Sequence, residues 1–453
     1  MKASNLTAAT AARIDRRGRG PSGHREGGSL GVTYDHSLTP ALLLAALEDD
    51  GWRIKDLVSR GAWTECRTDS GATPLMCAAA KGAGDAIDAL IEAGADVGAS
   101  DAVGASALTL AAFHGRLATV TQLLDDPADP RAHPSEGAAP GPAGAVRRTA
   151  EALLVRPTHG GETPVMAAAK AGHARVVDEL ARRMKGDVAS GATADGHTPL
   201  ALACRHGHVD VVRVLLTVGG AGGCIDERSG RYGMTPLMHA ACKGQTEVVA
   251  YLLTHAADVK PVDVTARDAL GMTAALHAAA AGSVACWQAL VNGGWPGEEP
   301  GARRERDNKG RNALMLAARF GSAEMVRYLL DTGDAGVMAA GEFDDQGESP
   351  LFAAIKGGHV AFEGAAELLH RAYPVHEEKL EMLEVKNQEG NTPLLWAAAH
   401  GREEAVKWLV GKGANMLAVD RKGRLPRQTA DEHGHHKTSA LLSELARNEW
   451  MRL

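Results

Sequence analysis

The sequence predicts an all-α solenoid of about ten to eleven stacked helical pairs, joined by β-hairpin or loop fingers. Three observations predict it. Thr-Pro-Leu or Thr-Pro-Val recurs at Thr73, Thr163, Thr198, Thr235 and Thr392. A glycine follows each threonine nine residues later, at Gly82, Gly172, Gly207, Gly244 and Gly401. A Leu-Leu-type pair then closes most copies, as in Leu215-Leu216, Leu252-Leu253 and Leu329-Leu330. Weaker copies keep the same offset from Ser106, Thr273, Asn312, Ser349 and Leu425, and a degenerate first copy begins at Thr39-Pro40.

Each element follows from its residues. Threonine or serine ahead of an apolar run caps a helix by accepting a backbone N–H. Proline suits the first helical position, where its missing donor costs nothing. Paired alanines such as Ala78-Ala79 let a neighbouring layer approach closely. The glycine ends this short first helix in a conformation other residues resist. The second helix carries apolar residues at helical spacing, as at Val248, Val249, Leu252 and Leu253. A Gly-containing turn leads back to the next unit. One unit alone exposes much of its apolar surface, so the units must stack.

Composition agrees. Aromatic residues make up 4% while glycine reaches 53 residues, which suits thin helical layers rather than large aromatic-filled cores. The formal charge is -7 with no long basic block, so there is no electrostatic argument for nucleic acid. Cys66, Cys77, Cys204, Cys224, Cys242 and Cys286 form no CxxC pair, and the chain is not a small cysteine-dense one, so reduced, partly buried thiols are expected. No apolar stretch is long enough for a bilayer, and the N-terminus lacks an apolar signal core. Arg13, Arg16, Arg17 and Arg19 read as a disordered basic arm, with a mitochondrial presequence as the alternative. Asn5-Leu6-Thr7 fits the glycosylation triplet by chance in a chain with no secretory signal.

The expected organisation is a Gly/Ser-rich basic arm over 1–34, repeats over 35–126, a Pro/Gly-rich insertion over 127–158, repeats over 159–445 and a short tail over 446–453. A short helix is expected from Ala145 to Val155. The insertion either divides the solenoid or bulges from a continuous stack; the second is favoured, because repeats on both sides need partners for their faces.

The phased motifs resemble the ankyrin-repeat family. In one copy the family pattern is met at Gly233, Thr235, Pro236, Leu237, Ala240, Gly244, Val248, Leu252, Leu253, Ala257 and Asp258. Its Gly-His element recurs at Gly172-His173, Gly207-His208, Gly358-His359 and Gly434-His435. The likeness covers Thr39 to Leu445. Most spacings between copies exceed the family norm of about 33 residues. The extra residues fall mainly between the Leu-Leu pair and the next turn, where they are expected to lengthen fingers or loops without entering the stack. The Thr273 and Asn312 copies lack proline and are expected to be looser or to rely on neighbours.

Enzyme and cofactor motifs are weak. Gly18-Arg19-Gly20-Pro21-Ser22-Gly23 fits GxGxxG without the strand and helix that give it meaning. His433-Gly434-His435-His436 has no partnering cysteine cluster, and His435 is explained by the repeat; His206-Gly207-His208 reads the same way. No catalytic, cofactor or metal site is expected.

The resemblance implies that fingers and first helices line one recognition face. Seven or eight residues after the cap lie Lys81, His114, Lys170, Arg205, His206, Lys243, Arg319, Lys356 and His400, a basic ridge on an otherwise acidic chain. Phe320 and Trp396 add aromatic anchors, Trp396 being the best single one, and Tyr232 stands at a turn. The expected partner is one or more proteins with an acidic tail or surface. The expected function is a non-enzymatic interaction scaffold, or a structural subunit of a cytoplasmic or cytoskeletal assembly. The alternative is a substrate-recognition adaptor for a ubiquitin ligase or other regulatory enzyme. A cytoplasmic location is expected, with cytoskeletal association, and nuclear or mitochondrial location stays open.

Overall fold

Short polar residues with extended backbone start the first helix of almost every repeat. The computed structural model describes residues 34–125, 150–184, 191–217, 225–254, 261–293, 305–332, 341–358, 362–373 and 376–450. The chain divides into two units, Met1–Lys185 and Gly186–Leu453. The arm over 1–33, Cys224 and most of the insertion lie outside the described residues.

In the first unit the first helices are Thr39–Glu48, Pro74–Lys81, Ala107–Phe113 and Pro164–Ala171; the second helices are Gly51–Ser59, Gly84–Glu92, Leu117–Leu124 and Ala174–Arg183. In the second unit the first helices are Pro199–His206, Pro236–Ala241, Ala274–Ala281, Ala313–Arg319, Pro350–Gly357, Pro393–Ala399 and Pro426–Glu432. Their partners are Val209–Thr217, Thr246–Thr254, Val284–Gly293, Ala323–Thr332, Phe362–Ala372, Glu403–Gly411 and His436–Trp450. Within each unit first helices pack on first helices and second on second. The division falls between 185 and 186, and repeats on both sides of the insertion share the first unit. There Ala107–Phe113 packs directly on Pro164–Ala171, and Arg183 Nη1 meets Asp125 Oδ1 at 2.5 Å. The insertion therefore does not break the stack. Of the helix expected from Ala145 to Val155, residues 145–149 lie outside the described residues; the described part is Ala150–Leu154, with Leu153 and Leu154 buried.

Caps hold the first helices. Thr235 Oγ1 accepts the Met238 N–H at 3.3 Å, and the Met238 sulfur accepts the Thr235 N–H at 3.4 Å, a thioether in the place of the usual carboxylate. The proline-free Thr273 and Asn312 repeats are not distinguished as looser: Asn312 Oδ1 accepts the Met315 N–H at 2.9 Å, and Thr273 Oγ1 accepts the Leu276 N–H at 3.4 Å. Proline only pre-sets a backbone angle, and a side-chain cap satisfies the same orphan donor. Ser349 is one exception, its buried hydroxyl making no hydrogen bond, and Leu38 and Leu425 give their helices no side-chain cap either.

The glycine nine residues on is required twice over. Gly401 has φ 65°, and a Cβ there would lie 2.6 Å from His435 Nδ1 of the next repeat. The residue after this glycine ties neighbouring repeats together: His173 Nε2 meets the Phe113 carbonyl at 3.0 Å, and Gln245 Nε2 donates to the Arg205 carbonyl at 3.4 Å. Alanine and leucine fill the layers, with Trp287 and Phe352 the largest fully buried side chains.

One expectation is corrected. The long spacing after Ser349 does not simply lengthen a loop. It forms an added helix, His376–Glu384, whose Met382 and Leu383 are buried. Those apolar side chains, one turn from Lys379, gain more by joining the layer than by facing water. The helix His436–Trp450 runs on into the first residues of the tail. Among the described residues the fingers are turns rather than ladders, with one antiparallel bridge between Ser229 and Met234.

Candidate partner-binding surface

Most fingers are closed by a polar side chain five residues before the helix cap; the Thr235 finger, with Gly230 there, is the departure. Asp268 Oδ1 accepts the backbone N–H of Leu270 at 2.8 Å and of Met272 at 2.9 Å. Asp307 serves Lys309 and Arg311, both at 2.9 Å, and Asp420 serves Lys422 at 2.8 Å and Arg424 at 2.9 Å. Thr193 makes only the second bond, to the His197 N–H at 3.0 Å. Such side-chain turns are available to aspartate, asparagine and threonine because their oxygen reaches the backbone two to four residues ahead.

Neighbouring fingers are then tied to each other. Ala269 N–H donates to the Tyr232 carbonyl at 2.8 Å, Asn308 N–H to the Leu270 carbonyl at 2.9 Å, and Asp345 N–H to the Lys309 carbonyl at 3.0 Å. An arginine one residue before the finger aspartate spans two repeats. Arg267 Nη1 donates to its own Gly271 carbonyl at 2.8 Å and to the Arg306 carbonyl at 2.6 Å. Arg306 Nη1 repeats this with Gly310 at 2.5 Å and Phe343 at 2.9 Å. In the first unit Arg67 does the same with Gly71 and Ser100. Neither device belongs to the repeat motif, although Asp101, Asp268, Asp307, Asp344 and Asp420 all stand at one offset from their caps.

The fourth and seventh residues after the cap face the finger. His277 Nε2 meets Asp268 Oδ2 at 2.8 Å, and His239 Nε2 meets Ser229 Oγ at 3.0 Å. Lys170 pairs with Glu162 at 3.3 Å, Lys356 with Glu348, and Arg424 with Glu432. Each of these last three pairs joins the residue before the cap to the seventh after it.

This register sorts the expected site residues. In the first unit Lys81 and His114 are exposed, and Lys170 is half-buried against Glu162. Burial and the neighbouring Arg116, His173 and Lys81 charges push the His114 ring below the usual histidine range. In the second unit Arg205 and Arg319 are half-buried, Lys243 is exposed, and none of the three makes a side-chain hydrogen bond or ion pair among the described residues. His206 and His400 spend Nδ1 on carbonyls four residues back, Leu202 and Trp396, both at 2.9 Å. Tyr232 and Phe320 are exposed, at 45% and 52%. Trp396 is a correction: it is only 8% exposed, stacked on His400 at 3.8 Å with the Lys356 ammonium 5.5 Å above its ring. An indole sandwiched in this way fills the layer and does not protrude as an anchor. Lys356, also bound to Glu348, is committed within the repeat.

Chemical reactivity finds little support. Burial pushes the Cys66 and Cys77 thiols up to about 11 and raises those of Cys204 and Cys242, so the thiolate needed for nucleophilic attack is disfavoured. His433 Nδ1 bonds the Thr429 carbonyl at 2.8 Å. Among the described residues no three histidine, cysteine or acidic side chains are grouped to hold a metal ion. Nor is any helix there long and apolar enough to cross a membrane.

The family described as ankyrin repeats (3 copies) matches residues 42–133, 144–222, 190–268, 215–303, 259–339, 278–379 and 337–420. The chain belongs to the ankyrin-repeat family, whose repeats serve as protein–protein interaction domains. It is similar to the ankyrin repeat and SAM domain-containing protein 6 of Danio rerio, 30% identical over 246 residues, which cover 50% of this chain and 30% of that protein. It is also similar to the ankyrin repeat protein nuc-2 of Neurospora crassa, 34% identical over 134 residues, which cover 29% of this chain and 11% of that protein. The chain thus spans less than a third of the length of these curated relatives. Among solved structures, the human ASB11 ankyrin repeat domain aligns at a TM-score of 0.44 and 25% identity, over 57% of this chain and 99% of that one.

Proposed function

We propose that the protein is a non-enzymatic interaction scaffold that seats a protein partner against the fingers and first helices of the Gly186–Leu453 unit. One observation carries the reading. On that face Tyr232, Leu270 and Phe320 stand 45%, 43% and 52% exposed, beside basic side chains with no internal partner, while the apolar residues of the second helices are spent in the stack. Exposed aromatic residues bordered by uncommitted charge are what a hot spot requires.

The test is affinity capture from a native lysate with cross-linking, comparing the wild-type chain with a Tyr232→Ala, Phe320→Ala double variant. Captured partner is expected to fall by about tenfold or more, which corresponds to roughly 1.4 kcal/mol of binding. Thermal unfolding should hardly move, since both side chains are exposed. Undiminished capture would remove this face from consideration.

A further inference from the structure

The pairing between the residue before the cap and the seventh after it has exceptions in the second unit. The Leu425 and Ser349 repeats place opposite charges there, Arg424 with Glu432 and Glu348 with Lys356, and both pairs are made. The Asn312 repeat has Arg311 and Arg319 in the same two positions, and the Thr198 repeat has His197 and Arg205. Neither supplies a carboxylate.

Arg311 and Arg424 allow a direct comparison. Both grip the finger aspartate with Nε: Arg311 holds Asp307 Oδ2 at 2.8 Å and Arg424 holds Asp420 Oδ2 at 2.7 Å. Both add a second contact to the same oxygen from Nη2, at 2.5 Å and 2.6 Å. Nη1 differs. In Arg424 it meets Glu432, whereas in Arg311 it makes no hydrogen bond among the described residues and the seventh position brings Arg319 instead. In the Thr198 repeat the His197 ring packs against Gly230 of the next finger and edge-on to His239, with its Nδ1 buried there, so Arg205 is the group left facing no acceptor among the described residues.

We infer that Arg311 with Arg319, and the unpaired Arg205, are two sockets for carboxylates of one extended acidic segment of a partner protein. This rests on the interaction-scaffold reading and specifies its partner. A carboxylate from the partner takes beside Arg311 the place that Glu432 takes in the Leu425 repeat, and beside Arg205 the place that Glu348 takes against Lys356. The sockets are three repeats apart. At an interaxial spacing of about 10 Å per layer they lie roughly 30 Å from one another. An extended chain covers that with about nine residues. Between them the seventh positions are Cys242 and Ala280, which carry no charge, and the fingertips present Tyr232 and Leu270. The segment is therefore acidic at its two ends and apolar where it crosses Tyr232 and Leu270, with the exposed Lys243 beside that stretch. The chain has no long basic block and a net charge of -7, which gives a nucleic acid no electrostatic footprint.

The experiment is fluorescence anisotropy on the full chain with labelled synthetic peptides of roughly twelve residues, carrying two glutamates about nine residues apart with leucine and serine between. The matched peptide with glutamine at both positions should bind about tenfold weaker or worse. Arg319→Glu supplies internally the carboxylate that Arg311 lacks. It should weaken the glutamate peptide by a similar factor without lowering the unfolding temperature. Arg205→Gln should weaken it too, and Lys356→Gln should leave affinity unchanged within about twofold. Four results would overturn the sockets: no measurable binding, equal affinity for the glutamine peptide, wild-type affinity in Arg319→Glu, or competition by single-stranded DNA of equal charge as effective as by the peptide. Lysate capture that still depends on Tyr232 and Phe320 in the face of such a result would leave the scaffold reading standing and remove only the carboxylate sockets.

Discussion

The Asn312 and Leu425 repeats build the same finger from the same parts and finish it differently. Both close the turn on an aspartate, Asp307 or Asp420, and both lock that aspartate with an arginine beside the cap. The Leu425 repeat then neutralises its arginine with Glu432, while the Asn312 repeat sets Arg319 in that position. The shared part is what the fold demands, because every buried finger N–H needs an acceptor. The unshared part lies at the edge of the layer, where nothing in the fold dictates the sign of the charge. Sequence variation that stability does not constrain is free to serve recognition.

The strongest way to break this comparison is to remove the shared part. Asp307→Ala and Asp420→Ala each strand two finger N–H groups and an arginine. Each should cost about 2–4 kcal/mol of stability, measured by urea unfolding. A negligible loss in either would show that the aspartate is ornament. A third finger sharpens the point through pH. The Thr235 finger is held by His239 against Ser229 rather than by a carboxylate. Burial, then the nearby His197 and Arg205, push the His239 ring down to about 4. A depressed histidine contributes stability that is present above its unfolded value of about 6.5 and is lost as pH falls toward 4. Burial works against the Asp268 charge, but its bonds to His277, Met272 and Leu270 outweigh this and keep it below the usual carboxylate range, so its contribution is lost only at lower pH. Hydrogen exchange at Met234 should accelerate between about pH 6 and pH 4.5 while Met272 stays protected. Simultaneous loss of both would refute the assignment.

Smaller effects test the unshared part. Glu432→Ala should destabilise by about 0.5–1 kcal/mol, while Arg319→Ala should be neutral, because only the first breaks a made pair. Arg319→Glu should raise stability by a few tenths of a kcal/mol, read as a small increase in thermal midpoint. A clear loss would mean that Arg319 has a role in the stack.

Much of the fold is legible because helix starts and stops are local. Thr235, Pro236 and Gly244 announce one turn of backbone each, and their offset survives insertions of any length between repeats. Legibility fails where a side chain's fate depends on a neighbour distant in sequence. Lys170 and Lys356 look like members of a ridge until Glu162 and Glu348, eight residues earlier, are seen to claim them. Trp396 looks like an anchor until His400 and Lys356 enclose it. The added helix at His376–Glu384 was hidden for another reason: its charged residues mask Met382 and Leu383, which settle only because a layer waits beneath them.

The arginines at 67, 267 and 306 grip carbonyl oxygens of the following repeat. A carbonyl is present whatever residue occupies the position. A repeat joined in this way asks nothing of its successor's side chains at that joint, so copies duplicated, lost or exchanged by recombination remain compatible there without compensating substitutions. Lineages of such proteins are free to change length faster than they change their joints.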